Sequence, residues 1–382
     1  MTSQVVKKIG ITGAIMAVVL GIGAIVHHHF YPVRVWKFSE KPVRLLTLPF
    51  GRGSNQVTQA QGLDGQFYGP LGFMVKGGQL VIADTYGHRI VIDTHPWRSI
   101  STGNLLPEDI VGTEKQIFFA DNHTLGIYRV ILGKPRKIIQ LSPDLGYTQM
   151  IWHLATDGNT LLVEGVKLGK GQWESWLRQY SDTGKLLHVL NMTKSGYNLS
   201  GQSLSSLPIG VSVRSFTVSP NQELVVELAS KNSHQRVFRV YNAKHRMVRQ
   251  AALFSRESIN HSQIMGVNKM GWIYVGINLT EPGKAMVAVL RKNGQTMFRR
   301  VHSVPVASWV YGAVSPSGSL YLLQSTTKEY CIVKWSLKSK DVWSWNGRPQ
   351  VIRSHDKFSL AHTAINRRCP STDDQSLRST GL

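Results

Sequence analysis

A unit of predicted β-strands recurs six times along the 382-residue chain. Each unit has a short apolar strand, a tight turn, a second strand, a polar loop and a third strand, and several continue into a fourth strand. The second strands align at the apolar positions Leu80, Ile117, Leu161, Leu224, Ile273 and Leu320. A four-stranded repeat of about 40–50 residues is typical of propeller blades. The sequence therefore predicts an all-β protein, a six-bladed β-propeller of four-stranded blades.

Two segments compete for the outermost strand of the last blade. Residues 43–51 (VRLLTLPFG) resemble the outer strands of other units and would close the ring by pairing the two ends of the domain. Residues 341–347 (DVWSWNG) are the alternative. Closure matters because exposed edge strands invite aggregation. A third segment, residues 194–210, is rich in Ser, Gly and Leu and is predicted to be a surface loop between units three and four.

The N-terminal region contains eighteen consecutive uncharged residues, 9–26, preceded by Lys7 and Lys8. A membrane-spanning helix needs about 20 apolar residues, so this segment is at the lower limit. We interpret it as an uncleaved transmembrane signal anchor rather than a cleaved signal peptide.

The chain has two cysteines. We predict that Cys331 is a core residue and that Cys369 lies in a polar tail, and the two could form one disulfide in an oxidising compartment.

The predicted organisation has five parts, with the propeller on the extracytoplasmic side of a cell membrane that the chain crosses once. They are a cytoplasmic N-terminus at 1–8, the anchor at 9–26, a juxtamembrane linker at 27–37, the propeller at 38–353 and a polar C-terminal tail at 354–382.

The first unit resembles an NHL-type repeat. The matching residues are Gly69, Pro70, Gly72, Gly78, Ala83, Asp84, His88, Arg89 and Ile90. The second unit keeps part of the motif, and turns in units four and six are similar to those of TolB-like and lactonase-like propellers. This resemblance implies a six-bladed ring that serves mainly as a binding platform. Some relatives of this architecture are metal-dependent lactonases, with carboxylates and an Asn around a divalent ion, but no such set stands out in this sequence.

The polar turn after the second strand of unit one brings Asp84, His88 and Arg89 close together in sequence. The other units lack this trio, so we predict a structural role and no catalytic residues. Asp84 is expected to cap the turn through backbone N–H groups, and Gly87 to adopt a positive φ. Arg89 is expected to pair with Asp84 or with a neighbouring blade.

The chain carries 44 Lys and Arg against 22 Asp and Glu, a formal charge of +22, which favours anionic partners. Loops between second and third strands gather on one face of a propeller, and the loops of the opposite face are basic too. The predicted binding residues of the first face are Arg89, Lys167, Lys170, Trp173, Lys231, Arg236, Lys284 and Lys328.

The sequence therefore predicts a membrane-anchored, exported, non-catalytic binding or scaffold module for a protein or an anionic envelope polymer. No cofactor and no metal site are predicted, and nucleic acid is not expected as a partner of an exported domain. The alternative is a metal-dependent hydrolase or lactonase with its site in the central channel.

Overall fold

The computed structural model describes most of the chain between residues 30 and 345. The described ranges are 30–39, 41–62, 65–94, 96–113, 115–142, 148–169, 172–196, 199–204, 213–228, 232–280, 285–294, 296–301, 306–307 and 310–345. Within them, the chain forms a large unit from Pro42 to Trp335 and a smaller unit from the segments on either side of it.

The strands follow one another with short turns. Before the first blade come β1 (Phe30–Phe38), β2 (Val43–Pro49), β3 (Ala60–Gln61) and β4 (Phe67–Tyr68). Blade 1 contains β5 (Gly72–Lys76), β6 (Gln79–Asp84), β7 (Arg89–Ile92) and β8 (Arg98–Ser101), and blade 2 contains β9 (Asp109–Gly112), β10 (Ile117–Asp121), β11 (Gly126–Ile131) and β12 (Lys134–Gln140). Blade 3 contains β13 (Thr148–Thr156), β14 (Thr160–Gly169), β15 (Gln172–Ser181), β16 (Leu186–Gly196) and β17 (Leu199–Leu204).

The second half of the ring is built in the same way. Blade 4 contains β18 (Val213–Val218), β19 (Leu224–Leu228), β20 (Gln235–Tyr241) and β21 (Met247–Phe254). Blade 5 contains β22 (Ile259–Val267), β23 (Ile273–Leu279), β24 (Ala285–Leu290) and β25 (Thr296–Val301). After β26 (Val306–Ala307), blade 6 contains β27 (Gly312–Val314), β28 (Leu320–Leu323) and β29 (Glu329–Trp335), and β30 (Leu337–Trp345) comes last.

The six blades form a closed ring, which confirms the predicted propeller. The first strands of the blades contact one another in order, and β27 of blade 6 contacts β5 of blade 1. The six positions aligned from the sequence, from Leu80 to Leu320, all lie in second strands and are all buried. Apolar clusters join blade 1 to 2, 2 to 3, 3 to 4, 4 to 5 and 6 to 1. The core therefore lies between the blades, around the ring.

The N-terminal strand β2 closes the ring. It pairs with β29 in antiparallel register, from Val43 opposite Lys334 to Pro49 opposite Glu329. Leu46 and Leu48 of β2 are buried in the cluster that joins blades 6 and 1. Of the two predicted candidates, residues 43–51 thus supply the closing strand.

The alternative candidate belongs to the smaller unit. Of the candidate segment 341–347, residues 341–345 lie in β30. This strand pairs with β1, from Phe30 opposite Trp345 to Phe38 opposite Leu337. The sequence predicted a linker at 27–37, and the structure has a strand there from Phe30 onward.

The prediction of a surface loop at 194–210 is wrong for the first half of that segment, which is paired in a sheet. β16 continues to Gly196, and β17 pairs with it as a fifth strand, with Met192 opposite Leu204. The physical reason is the length of β16, eleven residues. An unpaired strand edge of that length would be a site for aggregation, and β17 covers part of it.

The predicted anchor at 9–26 and the predicted tail at 354–382 lie outside the described residues, as does Cys369. Among the residues that the structure describes, no helix is long and apolar enough to cross a membrane. Cys331 is fully buried in β29, as predicted for a core residue.

Candidate functional site at the channel mouth

The polar turn after β6 is a structural clamp. The Asp84 carboxylate is fully buried and accepts hydrogen bonds from the Thr58 backbone N–H and from Arg89 Nε, both at 2.8 Å. The Arg89 guanidinium also donates to the carbonyl oxygens of Gly53 (3.1 Å) and Gln56 (2.6 Å). The pair thus holds the segment between the closing strand β2 and blade 1, and the prediction that Arg89 pairs with Asp84 is confirmed.

Two predicted details of this turn are wrong. Asp84 makes no side-chain hydrogen bond to its own turn, because its carboxylate is engaged by Thr58 and Arg89. The positive φ belongs to His88, at 50°, and not to Gly87. Glycine is needed at position 87 for another reason: a Cβ there would press on the Asp84 carboxylate and on the Thr58 hydroxyl.

Polar side chains at one level of the first strands connect blade 2 to blade 3 and blade 4 to blade 5. Asp109 of β9 accepts a hydrogen bond from the Leu154 N–H of β13 at 2.6 Å. Ser215 of β18 accepts one from the Ile264 N–H of β22 at 3.3 Å. The strand registers make Asp109 and Ser215 equivalent, since each lies opposite the residue three positions after the aligned apolar position. The hydrogen bond between the two blades therefore explains why the Asp109 carboxylate is buried.

The equivalent position in blade 3 is His153, which belongs to a group of titratable residues. Its Nδ1 lies 2.9 Å from Asp109 Oδ2, and it faces Glu164 across the β13–β14 pair. Burial lowers the pKa of His153, but the charge and hydrogen bond of Asp109, together with the charge of Glu164, outweigh it and leave that pKa raised. Burial raises the pKa of Glu164 to about 7, although the charge of His153 opposes the shift. Glu164 Oε2 is buried without a hydrogen-bond partner among the described residues.

A second buried network joins blades 4 and 5. Ser215 Oγ donates to Glu227 Oε2 at 2.8 Å, and Ser262 Oγ donates to Glu227 Oε1. Arg236 Nε donates to Ser262 Oγ at 3.0 Å and lies 3.6 Å from Glu227 Oε1. Burial raises the pKa of Glu227, and the hydrogen bonds from Ser262 and Ser215 oppose that rise. Arg236 is only 2% exposed, so its guanidinium group lies inside the propeller and is not available to a partner at the surface.

The first strands of blades 3 and 4 each contain a β-bulge at the same level. In β13 the pairing passes from Ile151 to His153, and in β18 it passes from Val213 to Ser215. The extra residues are Trp152 and Arg214. A bulge re-aims a side chain out of the normal alternation.

These two side chains, together with His261 of β22, define what we call the channel mouth. Trp152 is 51% exposed although it lies on the innermost strand of its blade. Arg214 is half-buried, and its Nη2 donates to the carbonyl oxygen of Asn260, the neighbour of His261, at 3.3 Å. Partial burial and then the positive charges of Arg214 and Arg236 lower the pKa of His261. The channel mouth therefore combines an accessible aromatic ring with the guanidinium group of Arg214.

The structure does not bring the binding residues predicted from the sequence together in one described surface. Arg89 and Arg236 are engaged in the contacts given above, Lys167 is half-buried on β14, and Lys328 is exposed before β29. The side chains of four residues lie outside the part of the chain that the structure describes: Lys170, Trp173, Lys231 and Lys284. Binding by this face stays a prediction.

Trp152 and Arg214 were not predicted as site residues. A bulge is a local shift in the register between two paired strands, and the alternation within one strand does not by itself locate it. The available signal was weak: in each strand one extra residue interrupts the alternation, in IWH at 151–153 and in VRS at 213–215.

The donor groups of the described propeller do not fit a lactonase-type metal site. Among the described residues there is no group of three His, Cys, Asp or Glu side chains that could hold a metal ion. Asp84, Asp109 and Glu227 are engaged in the hydrogen bonds given above. Asn122 is engaged as well, since it donates to Glu108 and accepts from the Ile151 N–H.

Comparison with protein-family models and with curated proteins gave no match. Similar solved structures include a streptogramin B lyase, at 10% identity and a TM-score of 0.43, covering 78% of this chain and 100% of that one. An oligogalacturonate lyase in complex with manganese shows 10% identity and a TM-score of 0.44, with coverages of 78% and 99%. A gluconolactonase from Xanthomonas campestris shows 13% identity and a TM-score of 0.38, with coverages of 80% and 100%. The chain is a six-bladed β-propeller by its own sheet topology, and these likenesses carry no inference about its activity.

Proposed function

We propose that this chain is a non-catalytic binding module whose channel mouth receives an anionic group of a protein or of an anionic envelope polymer. The observation that carries the proposal is the pair of bulges that re-aim Trp152 and Arg214 at the same level of neighbouring blades. Bulges are conspicuous next to functional sites because they place side chains where regular strands do not.

The chemistry of the channel mouth supports an anionic ligand. A guanidinium such as that of Arg214 presents planar, forked donors that match carboxylate and phosphate groups. The accessible ring of Trp152 offers an apolar surface beside it. The formal charge of +22 would draw anionic partners toward the protein over longer distances.

We also propose that residues 9–26 anchor the chain in a cell membrane, with a single crossing and the propeller on the extracytoplasmic side. The support is the uncharged run itself and the two lysines before it. Within the same proposal, the chain is a divergent NHL-type or TolB-like propeller, on the strength of the motif in blade 1. The metal-dependent alternative is not proposed, because the described donor set does not fit it.

Binding of the full-length chain to immobilised polyglutamate and polyphosphate tests the anion site. Arg214→Gln is expected to weaken binding by about tenfold to about a hundredfold, since a charge-assisted hydrogen bond contributes roughly 1.5–3 kcal/mol. Arg136→Gln, an exposed arginine on the outer strand β12, removes the same charge and serves as the matched control. Binding should also fall at high salt. Equal binding by the two variants would refute the proposal.

A further inference from the structure

A cleft lies between blades 5 and 6, beginning at His261 of the channel mouth. Its volume is about 150 Å³. Its apolar lining includes the buried Ile277 and Leu322 and the half-buried Met265 and Met286. Its polar rim includes the exposed His261 and the half-buried Gln263 and Gln324. This combination, an apolar interior with a few polar groups at the entrance, is typical of small-molecule sites.

Two glycines make room for the Met265 side chain, which lines the cleft. A Cβ at Gly276 of β23 or at Gly312 of β27 would press on the thioether of Met265, which lies between them. Met265 is itself the extra residue of a bulge in β22, between Ile264 and Gly266 in the pairing with β23. Methionine is unbranched and has three rotatable bonds, so its side chain adapts to its surroundings. The cleft can therefore widen by rotation of one side chain.

Another part of the same interface is packed. Tyr274 is fully buried farther along the same two blades, and its hydroxyl donates to the carbonyl oxygen of Gly318 in blade 6 at 3.0 Å. The cleft lies beyond this contact, where Gly276, Ile277 and Asn278 of β23 line it.

We propose that the cleft binds the apolar end of a small amphipathic carboxylate, whose anionic group lies at His261 and Arg214. This inference rests on the proposed anion site and adds the class of ligand that the site accepts. A cavity of about 150 Å³ holds a six-carbon apolar group such as benzene. The positive charges that act on His261 make the rim the favourable end for the carboxylate.

Methyl NMR of the full-length chain with ¹³C-labelled methionine tests the cleft directly. Hexanoate is expected to shift the methyl signals of Met265 and Met286, which are assigned through Met→Leu variants. Hexan-1-ol, which lacks the charge, should produce the same shifts only at about tenfold higher concentration. Absence of any shift at both methionines would overturn the proposal, and equal response to the two probes would overturn the placement of the carboxylate.

A cavity-filling variant gives an independent check. Ala285→Leu places a larger side chain in the cleft and should weaken hexanoate binding about tenfold. Ala252→Leu, at a half-buried alanine on β21 of blade 4, is the matched control and should not change it. Unchanged hexanoate binding by Ala285→Leu would count against the cleft. If hexanoate does not bind while polyglutamate binding still depends on Arg214, the cleft proposal fails and the proposed function stands.

Discussion

Individual buried polar side chains hold neighbouring parts of this propeller together. Asp84, Asp109 and Ser215 each accept a hydrogen bond from a backbone N–H outside their own blade. A buried polar group costs stability unless it is hydrogen-bonded, and these three are. Two carboxylate oxygens, Asp109 Oδ1 and Glu164 Oε2, are buried without a hydrogen-bond partner among the described residues.

Glu164 should make the stability of the fold depend on pH. Its pKa rises from 4.5 to about 7 in the folded chain, so the folded state binds the proton more tightly than the unfolded state. Stability is therefore highest below pH 4.5 as far as this group is concerned, and it falls as the pH rises through about 7. The raised pKa of His153 acts in the same direction. Glu164→Gln should reduce the loss of stability between about pH 5 and about pH 8 by up to about 3 kcal/mol.

Unfolding of the parent chain and of the variant at these two pH values, at one ionic strength, measures the effect. Glu257→Gln provides the control, since Glu257 is exposed. Identical pH profiles for the parent and Glu164→Gln would show that Glu164 does not carry a raised pKa in the fold.

At the level of strands, closure of the ring by β2 can be tested with a disulfide. Thr47 of β2 lies opposite Cys331 of β29, with Thr47 Oγ1 3.6 Å from Cys331 Sγ. Facing residues of antiparallel strands have Cα atoms about 4.5–5.5 Å apart, which a disulfide can span. Thr47→Cys in a Cys369→Ser background should therefore form a bridge during folding under oxidising conditions.

The bridge would join residues 284 positions apart and stabilise the fold by about 5 kcal/mol in the chain-entropy description. Mobility on a non-reducing gel and the melting temperature with and without dithiothreitol report it. Thr47→Ser in the same background is the control. A chain that stays reduced, with an unchanged melting temperature, would mean that residues 43–49 do not close the last blade.

The strand pattern was predictable where each element repeats a local signal. Alternating apolar residues and turn glycines, such as Gly78 and Gly318, mark the hairpins of the blades, and both glycines have positive φ. The fifth strand β17 and the β1–β30 pair were not predicted, because each occurs once and forms by pairing between segments that no repeat relates. The channel mouth was missed for a similar reason: it depends on register shifts at Trp152 and Arg214.

For the molecule as a whole, the distribution of charge matters more than its sum. The buried charged residues of the described part are mostly acidic: Asp84, Asp109, Asp121, Glu164 and Glu227, with Arg236 as the basic one. These five acidic side chains lie in the interior, whereas among the described Lys and Arg residues only Arg236 is fully buried. The surface is therefore strongly positive, and its charges repel one another.

This repulsion predicts that salt stabilises the fold. Raising the ionic strength from about 10 mM to about 150 mM shortens the Debye length from about 30 Å to about 8 Å. The melting temperature of the full chain in sodium chloride should therefore rise by about 2–4 °C, which corresponds to roughly 1 kcal/mol. Replacing the exposed Lys134 and Arg136 of β12 with Glu lowers the net charge without touching the core. That variant should melt higher than the parent at low salt and respond less to added salt, because less repulsion is left to screen. A melting temperature that does not change with salt in the parent would show that surface repulsion does not limit its stability.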